Sequence, residues 1–277
     1  MNFSVLMSVY KNDNPVYFER ALNSIYEEQT LKPNQIVLVL DGDIPKVLEK
    51  VIDKFKVSNS GILTIVPLEK NVGLGEALRI GTDFCEHTYI CRMDSDDISN
   101  PLRFEKQIKY MENNKEIDVV GSNILEFVND LNDSQPKMLR QVPNSNTEIL
   151  NFAKKRNPMN HVTVCMRKES LIESGGYESC LLLEDYYLWL KMLASGKKMV
   201  NVNEPLVYVR LGDNFISKRS STTRIVGWGT LQKFMIHKKM INHFEALKNM
   251  IYILGFVFTP NMIKKFLYRN YLRKSLN

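Results

Sequence analysis

Cysteine and histidine are scarce in this sequence, and their spacing excludes the common zinc sites. Only four cysteines and four histidines occur among 277 residues, and no two cysteines form a C-x-x-C pair. Cys85, Cys91, Cys165 and Cys180 also lie too far apart to suggest a disulfide framework. Because unpaired cysteines are typical of reducing compartments, we predict a cytoplasmic protein.

Long apolar runs, repeats and low-complexity tracts are absent as well. The most apolar stretch, residues 250–258, is far shorter than the ~20 residues that a membrane-spanning helix requires. The first residues lack the basic segment of a secretory signal, so no export is expected. With 44% hydrophobic and 25% charged residues, the chain can bury a sizeable core. Its length suits one generous domain, or a domain with an appendage.

Negative charge is scarce in the last quarter of the chain. Residues 211–277 contain twelve Lys and Arg but only two acidic residues, a net charge of +10, so residues 1–210 carry −4. We therefore predict a catalytic-type domain over 1–210 and a basic amphipathic helical tail over 211–277. The tail fits two interpretations, a helix at an anionic membrane surface or helices that pack on the domain. It carries none of the recognised nucleic-acid-binding modules.

The first hundred residues alternate strand-like and helix-like segments. Strands are expected at residues 3–9, 36–40, 62–66 and 88–93, and each is followed by an amphipathic helix pattern. Because these strands are apolar throughout, they require a sheet that helices cover on both faces. The pattern predicts an α/β fold with a doubly wound, mostly parallel sheet. Ligands bind such sheets at the carboxyl ends of the strands.

The alternation weakens after residue 115. Further strands are expected at residues 117–127, 137–142, 161–166 and 206–210. Between the last two, residues 183–193 have the apolar spacing of an amphipathic helix, which Glu184 and Asp185 open.

Asp94, Ser95 and Asp96 form a D-x-D motif at the end of the fourth expected strand. Neighbouring carboxylates repel each other, and a bound divalent cation removes that cost. Hard oxygen ligands suit Mg²⁺ or Mn²⁺, which also bind substrate phosphates. The alternative is a solvated turn in which Asp97, Ser99 or Asn100 caps the next helix.

Eight segments in order resemble the inverting family 2 glycosyltransferases of the GT-A fold. They are SVLMSVYKND, IVLVLDGD, NVGLGEALRIG, YICRMDSDDISNPLRFEKQ, DVVGSN, NPMNHVTVCMRK, GGYESC and LLLEDYYLWLKML. The resemblance covers residues 3–210 and is greatest to bacterial enzymes that build O-antigen, capsule and amylovoran-type exopolysaccharide. It implies a nucleotide-sugar-binding half over 1–115 and an acceptor-binding half over 116–210.

The resemblance also implies roles at the donor site. The residues that would bind the nucleotide sugar are Ser8, Val9, Tyr10, Asp41, Asn71, Gly73, Asp94, Ser95 and Asp96. Among these, Asp41 would accept a hydrogen bond from the base, and Asp96, with Asp94, would hold Mn²⁺ or Mg²⁺. One departure is that Leu40 stands where the family often has a first aspartate.

On the acceptor side, the resemblance assigns the E-D pair to catalysis. Asp185 would be the general base and Glu184 would orient the acceptor, or the two roles would be reversed. From the residues alone, acidic groups in the first turn of a helix are already favoured by the helix dipole. His161 and Trp189 would contact the acceptor, although core packing is the simpler role for each. Arg210 would pair with the diphosphate or form a surface ion pair.

Together these features predict a metal-dependent inverting glycosyltransferase. It would move a hexose, galactose or glucose from a UDP-sugar, in β linkage onto a lipid-diphosphate-linked saccharide at the inner face of the cell membrane. One alternative is a sugar nucleotidyltransferase, although the loop after the first strand lacks the glycines expected of a triphosphate-binding loop. Another is a non-catalytic subunit that binds nucleotide sugars.

Overall fold

A computed structural model describes residues 2–128, 130–131, 137–212, 223–260 and 262–264, and the backbone of 274–276. The predicted alternation of strands and helices in the first half is confirmed. Its four long strands are β1 (Phe3–Val9), β2 (Gln35–Leu40), β3 (Leu63–Pro67) and β4 (Tyr89–Met93). They run parallel in the order β3-β2-β1-β4, so their carboxyl ends meet at one edge.

Four helices connect or follow these strands. They are α1 (Pro15–Ile25), α2 (Lys46–Ser58), α3 (Leu74–Phe84) and α4 (Arg103–Asn113). The start of α1 illustrates the local signals. The Asn14 side chain accepts hydrogen bonds from the backbone N–H groups of Val16 and Tyr17. Pro15 occupies the first turn, where a backbone N–H would have no partner within the helix, so the N–H that proline lacks is not missed.

The second half widens the sheet with mainly antiparallel strands. They are β5 (Ile98–Ser99), β6 (Val119–Phe127), β7 (Lys137–Arg140), β8 (Cys165–Arg167), β9 (Met199–Arg210) and β10 (Lys274–Leu276). The main path is β10-β7-β6-β8-β4-β1-β2-β3, and β9 pairs in parallel with β6 and antiparallel with β5. The helices of this half are α5 (Asn146–Ala153), α6 (Lys168–Glu173) and α7 (Glu184–Ala194).

Helices cover both faces of the central sheet, as its apolar strands predicted. Successive residues of β1 point to opposite faces, so Leu6 packs with residues of α3 and α7 whereas Val5 and Met7 pack with residues of α1, α2 and α4. All three side chains are fully buried. The sheet therefore separates two apolar cores.

The strand expected at residues 161–166 is wrong in its first half. His161–Thr163 form a single 3₁₀ turn, and only Cys165–Arg167 pair as a strand. The Thr163 backbone N–H and hydroxyl both donate to the Asn160 carbonyl, at 2.9 and 2.8 Å. These local bonds compete with strand pairing and favour the turn.

Two further features of the second half were not expected from the sequence. Strand β9 begins at Met199, before the expected strand, and accommodates Pro205 at an irregularity in its register with β6. Helices α5 and α6 were missed. Helix α5 nevertheless has a visible start signal, because Ser145 and Glu148 form a capping box.

Two helices of the basic segment pack on the α7 side of the sheet. They are α8 (Thr223–His237) and α9 (His243–Phe258). Leu231 and Met235 of α8 are fully buried in the core shared with α7, and the Asn249 amide of α9 donates to the Lys154 carbonyl at 2.8 Å. Residues 213–222 and 265–273 of the predicted tail lie outside the described residues. Within the described part, no helix has both the length and the hydropathy to cross a bilayer.

Candidate active site

Three aspartates converge where β4 ends. Asp94, Asp96 and Asp97 each place a carboxylate oxygen within 4.8 Å of the others, which is the donor set that a hard divalent cation prefers. Asp96 is exposed, Asp94 is half-buried and Asp97 is buried. The structure therefore brings together both predicted ligands and adds Asp97.

The alternative interpretation has Asp97 capping the following helix, but in the structure its carboxylate binds elsewhere. Its carboxylate accepts the backbone N–H of Arg210 at 2.9 Å and thereby ties the end of β9 to the acidic cluster. The nearby Asn100 side chain accepts the backbone N–H of Leu102. Helix α4 itself begins after Leu102 without a capping side chain.

Two members of the acidic cluster, Asp96 and Asp97, have raised pKa values. The pKa of Asp96 rises to about 6 because surrounding protein displaces water and because Asp94 and Asp13 repel its negative charge. The pKa of Asp97 is raised well above its usual range by burial, and next by Asp96 and Asp94. A positive ion among these carboxylates would offset both effects, so the donor set and its electrostatics fit a cation site.

One buried cation already lies beside this cluster. The guanidinium of Arg92, on β4, forms an ion pair with Asp94 and is almost entirely buried. Sequence reasoning missed Arg92, although a charged residue inside an otherwise apolar strand is an unusual signal. Asp94 is therefore paired with a buried cation, whereas Asp96 is exposed to solvent.

The end of β1 reaches the same cluster through Asp13. One oxygen of this carboxylate accepts the Ser95 hydroxyl at 2.8 Å and the backbone N–H of Tyr10 at 3.1 Å. Of the predicted donor residues on β1, Ser8 is half-buried, Val9 is buried and Tyr10 is exposed. Asp13 was not predicted, and its contacts link the loops after β1 and β4.

Asp41, at the end of β2, holds the loop that leads into α3. Its carboxylate accepts the Asn71 side-chain amide at 2.9 Å and the backbone N–H groups of Val72 and Gly73 at 2.7 and 3.1 Å. Gly73 has φ +86° and ψ 159°, a conformation almost restricted to glycine. The structure brings together Asp41, Asn71 and Gly73, and the hydrogen bond that Asp41 would accept from a nucleotide base stays a prediction.

Glu184 and Asp185 begin α7 and contact different halves of the protein. Asp185 accepts the Asn157 side-chain amide at 2.6 Å and the Tyr186 backbone N–H at 2.7 Å. Glu184 packs against α3, since a Cβ atom on Gly75 would lie 3.2 Å from the Glu184 Cβ. Burial raises the pKa of Glu184, and the neighbouring Asp185 adds to the rise.

Trp189 and His161, the two residues predicted to contact the acceptor, pack against each other. Trp189 is fully buried in the core, which corrects the prediction that its ring contacts the acceptor. The indole packs edge-on to the His161 ring, with 5.9 Å between the ring centroids. His161 is half-buried, and its Nε2 is 2.9 Å from the Tyr177 hydroxyl. Burial, with a contribution from Arg92, lowers the pKa of His161 well below its usual range, so the ring is neutral.

Arg210 ends β9 beside the acidic cluster. Its guanidinium stacks over the Tyr17 and Phe127 rings, 3.8 and 4.6 Å from their centroids, and its Nε lies 3.3 Å from the Asp96 carbonyl oxygen. A cation at this place is suited to a phosphate ligand, and that role stays a prediction.

Comparison with known proteins shows what this arrangement belongs to. The family model described as glycosyl transferase family 2 matches residues 4–176, which include the ends of β1, β2 and β4. The chain belongs to this family. It is therefore a glycosyltransferase, and the predicted enzyme class is confirmed. The match ends before Glu184, so it does not include the E-D pair.

Curated relatives extend the similarity past that point. The chain is 42% identical over 217 residues to the amylovoran biosynthesis glycosyltransferase AmsE of Erwinia amylovora, covering 78% of this chain and 79% of AmsE. It is 32% identical over 276 residues to the Escherichia coli UDP-Gal:alpha-D-GlcNAc-diphosphoundecaprenol beta-1,3-galactosyltransferase, covering 99% of this chain and 98% of that enzyme.

Solved structures agree on the fold of this family 2 glycosyltransferase. The mannosyltransferase PcManGT of Pyrobaculum calidifontis, solved with GDP-Man and Mn²⁺, superposes with a TM-score of 0.64 at 12% identity. The match covers 97% of this chain and 79% of that one. The GT-A fold expected from the sequence is thereby confirmed.

Proposed function

We propose that this glycosyltransferase moves a hexose with inversion from a UDP-sugar to a lipid-diphosphate-linked saccharide, in the synthesis of a bacterial O-antigen, capsule or related exopolysaccharide. The observation that carries the proposal is that the E-D pair lies next to the predicted nucleotide-binding loop. Glu184, at the start of α7, packs against Gly75 at the start of α3, and the Asp41 carboxylate accepts the backbone N–H of Gly73 just before it. Donor-binding and proton-accepting groups therefore face one region.

On the donor side, three carboxylates would hold Mn²⁺ or Mg²⁺, with Asp96 the most accessible ligand. A bound cation would supply charge stabilisation to the nucleoside diphosphate as it departs. Asp13 keeps the loops after β1 and β4 together, and Asp41 keeps the loop before α3 in place. These contacts orient the nucleotide-binding residues before the donor arrives.

On the acceptor side, Asp185 would accept the proton of the attacking hydroxyl, because inversion requires deprotonation on the face opposite the leaving group. Each of its oxygens accepts one hydrogen bond and retains a lone pair. Glu184, which lies against α3, would orient the acceptor near the donor. Arg210, at the end of β9, would contact the diphosphate of the donor.

The E. coli relative, by its name, takes UDP-Gal and a GlcNAc-diphosphoundecaprenol acceptor and forms a β-1,3 linkage. Its similarity over nearly the whole chain supports a UDP-hexose donor, with galactose or glucose as the first candidates, and a lipid-linked acceptor here.

A second observation supports a peripheral position at the inner face of the cell membrane. Helix α9 exposes a stripe of apolar residues spaced three and four apart, namely Phe244, Leu247, Ile251, Leu254 and Phe258. Exposed lysines lie within and between the two helices, among them Lys248 in α9 and Lys239 between α8 and α9. An exposed apolar stripe on a helix that also carries an exposed lysine suits an interface that contains anionic lipid, where the acceptor would reside.

A donor panel tests the proposed reaction. Purified protein is incubated with Mn²⁺, a synthetic GlcNAc- or GalNAc-diphosphate-lipid and each UDP-sugar in turn. We expect transfer from UDP-Gal or UDP-Glc with release of UDP. Release of pyrophosphate would favour the nucleotidyltransferase instead. Absence of transfer from every donor by folded protein would favour a non-catalytic subunit.

A further inference from the structure

The Asn157 side chain contacts the E-D pair from the acceptor half. Its Nδ2 donates to Asp185 Oδ2 at 2.6 Å, and its Oδ1 accepts the Met159 backbone N–H at 3.3 Å. Because the second bond occupies the oxygen of the amide, it turns the NH₂ group toward Asp185. The orientation of this donor is therefore set within its own loop.

The loop that carries Asn157 rests on the sheet. The Asn201 amide, on β9, donates to the Pro158 carbonyl at 3.2 Å and to the Pro143 carbonyl at 2.7 Å. Gly121 makes this approach possible, since a Cβ atom there would lie 2.2 Å from the Asn201 Oδ1 and 2.8 Å from the Met159 Cε. A side chain at position 121 would therefore displace the Asn201 amide that donates to the Pro158 carbonyl, or the Met159 side chain.

Asp185 is consequently held at both oxygens. The Tyr186 backbone N–H occupies Oδ1, at the start of α7, and the Asn157 amide occupies Oδ2. Two donors from different elements fix the plane of a carboxylate, whereas the Tyr186 bond alone would let it rotate. Glu184 instead packs its methylene groups against α3.

We infer that Asn157 is a positioning residue that holds the Asp185 carboxylate in the orientation from which it accepts the proton of the acceptor. This inference rests on the proposed function and assigns the base role to Asp185, not Glu184. A base displaced by about 1 Å loses on the order of 100-fold in rate, while donor binding depends on other residues.

The test compares Asn157→Ala and the isosteric Asn157→Asp with Asn151→Ala, a control on the exposed surface of α5. We expect kcat to fall about 10- to 100-fold in both Asn157 variants. The affinity for UDP with Mn²⁺, measured by calorimetry, should stay within about twofold of the unmodified protein. The control should match the unmodified protein in both measurements. Melting temperatures identify any variant that fails to fold.

A double-mutant cycle separates positioning from a general structural effect. If Asn157 acts through Asp185, Asn157→Ala should not lower the residual rate of Asp185→Asn any further. An equal fold-loss in both backgrounds, or unchanged kcat in the single variants, would overturn the inference while leaving the proposed function intact. An Asp185→Asn enzyme with full activity would overturn the assignment of the base to Asp185 and this inference with it. An unmodified protein without transfer would overturn the proposed function.

Discussion

At the scale of single residues, the three carboxylates of the acidic cluster differ in their partners. Asp94 is paired with the buried guanidinium of Arg92, and Asp97 accepts the Arg210 backbone N–H. Asp96 remains the most exposed of the three and has a raised pKa. It is therefore the carboxylate that an incoming cation reaches first.

Replacing Asp96 by Asn keeps the shape of the side chain but removes its charge. We expect metal-dependent binding of UDP to weaken more than about tenfold, because even outer-shell partners of a metal contribute 10- to 100-fold. Asp185→Asn should leave UDP binding near normal and reduce turnover to a small residual rate. Calorimetry with UDP and Mn²⁺ measures the first effect and a transfer assay the second. Identical behaviour of the two variants would contradict this division of roles.

His161 provides a pH prediction that does not involve the metal site. Its pKa in the folded protein is lowered well below 6.5, chiefly by burial. As the pH falls below 6.5, His161 is therefore protonated in the unfolded chain while it stays neutral in the folded protein. The associated stability is present above pH 6.5 and is lost as the pH falls. Relative to His161→Gln, the unmodified protein should lose about 1 kcal/mol of unfolding free energy between pH 6.5 and 5.5. Urea denaturation measures this difference, and parallel pH profiles for the two proteins would contradict it.

At the scale of elements, α9 has two different faces. Ala246, Asn249 and Val257 are buried on the inner face, whereas Phe244, Ile251 and Phe258 are largely exposed on the outer face. The two interpretations of the basic tail are therefore compatible. The described parts of α8 and α9 pack on the domain, and membrane contact of the outer face stays a proposal.

Liposome co-sedimentation tests the outer face of α9. Because burial of one large apolar side chain contributes about 1.5–3 kcal/mol, Ile251→Asp should reduce binding to anionic vesicles by about tenfold or more. Val57→Asp is the matched control, since Val57 is 84% exposed on α2 and lies outside the stripe. Raising the salt concentration should weaken binding of the unmodified protein. Equal sedimentation of both variants would contradict the membrane contact.

At the scale of the whole molecule, α8 and α9 complete one of the two cores. Leu231 and Met235 are fully buried, and Ile241 and Ala246 are nearly so. A chain that ends at residue 222 would expose this face of the domain, where each lost apolar side chain contributes about 1.5–3 kcal/mol.

We therefore expect truncation at residue 222 to lower the melting temperature and promote aggregation. Thermal melts followed by circular dichroism, together with size-exclusion chromatography, measure both effects. The Ile251→Asp variant serves as the comparison, because it changes the same region without opening the core. A truncated protein that melts like the full chain would contradict a structural role for α8 and α9.

The sequence alone predicted the architecture of the first half and the edge of the sheet at which the acidic cluster lies. Apolar runs and caps such as Asn14-Pro15 are local signals, and β1 and α1 form where those signals occur. The end of β4, with Asp94 and Asp96, follows from strand placement in the same way. These features could be predicted because each depends on residues close together in the chain.

Only the tertiary structure decided which distant groups meet. Asn157 reaches Asp185 across 28 positions, Asp13 reaches Ser95 across 82, and Arg210 reaches Asp97 across 113. The sequence shows that Trp189 is a large aromatic residue on a helix, but this fits both contact with the acceptor and packing in the core. Its burial depends on which elements pack over it. Periodicity reports the face of an element but not its neighbour, because the partner is chosen when the elements pack.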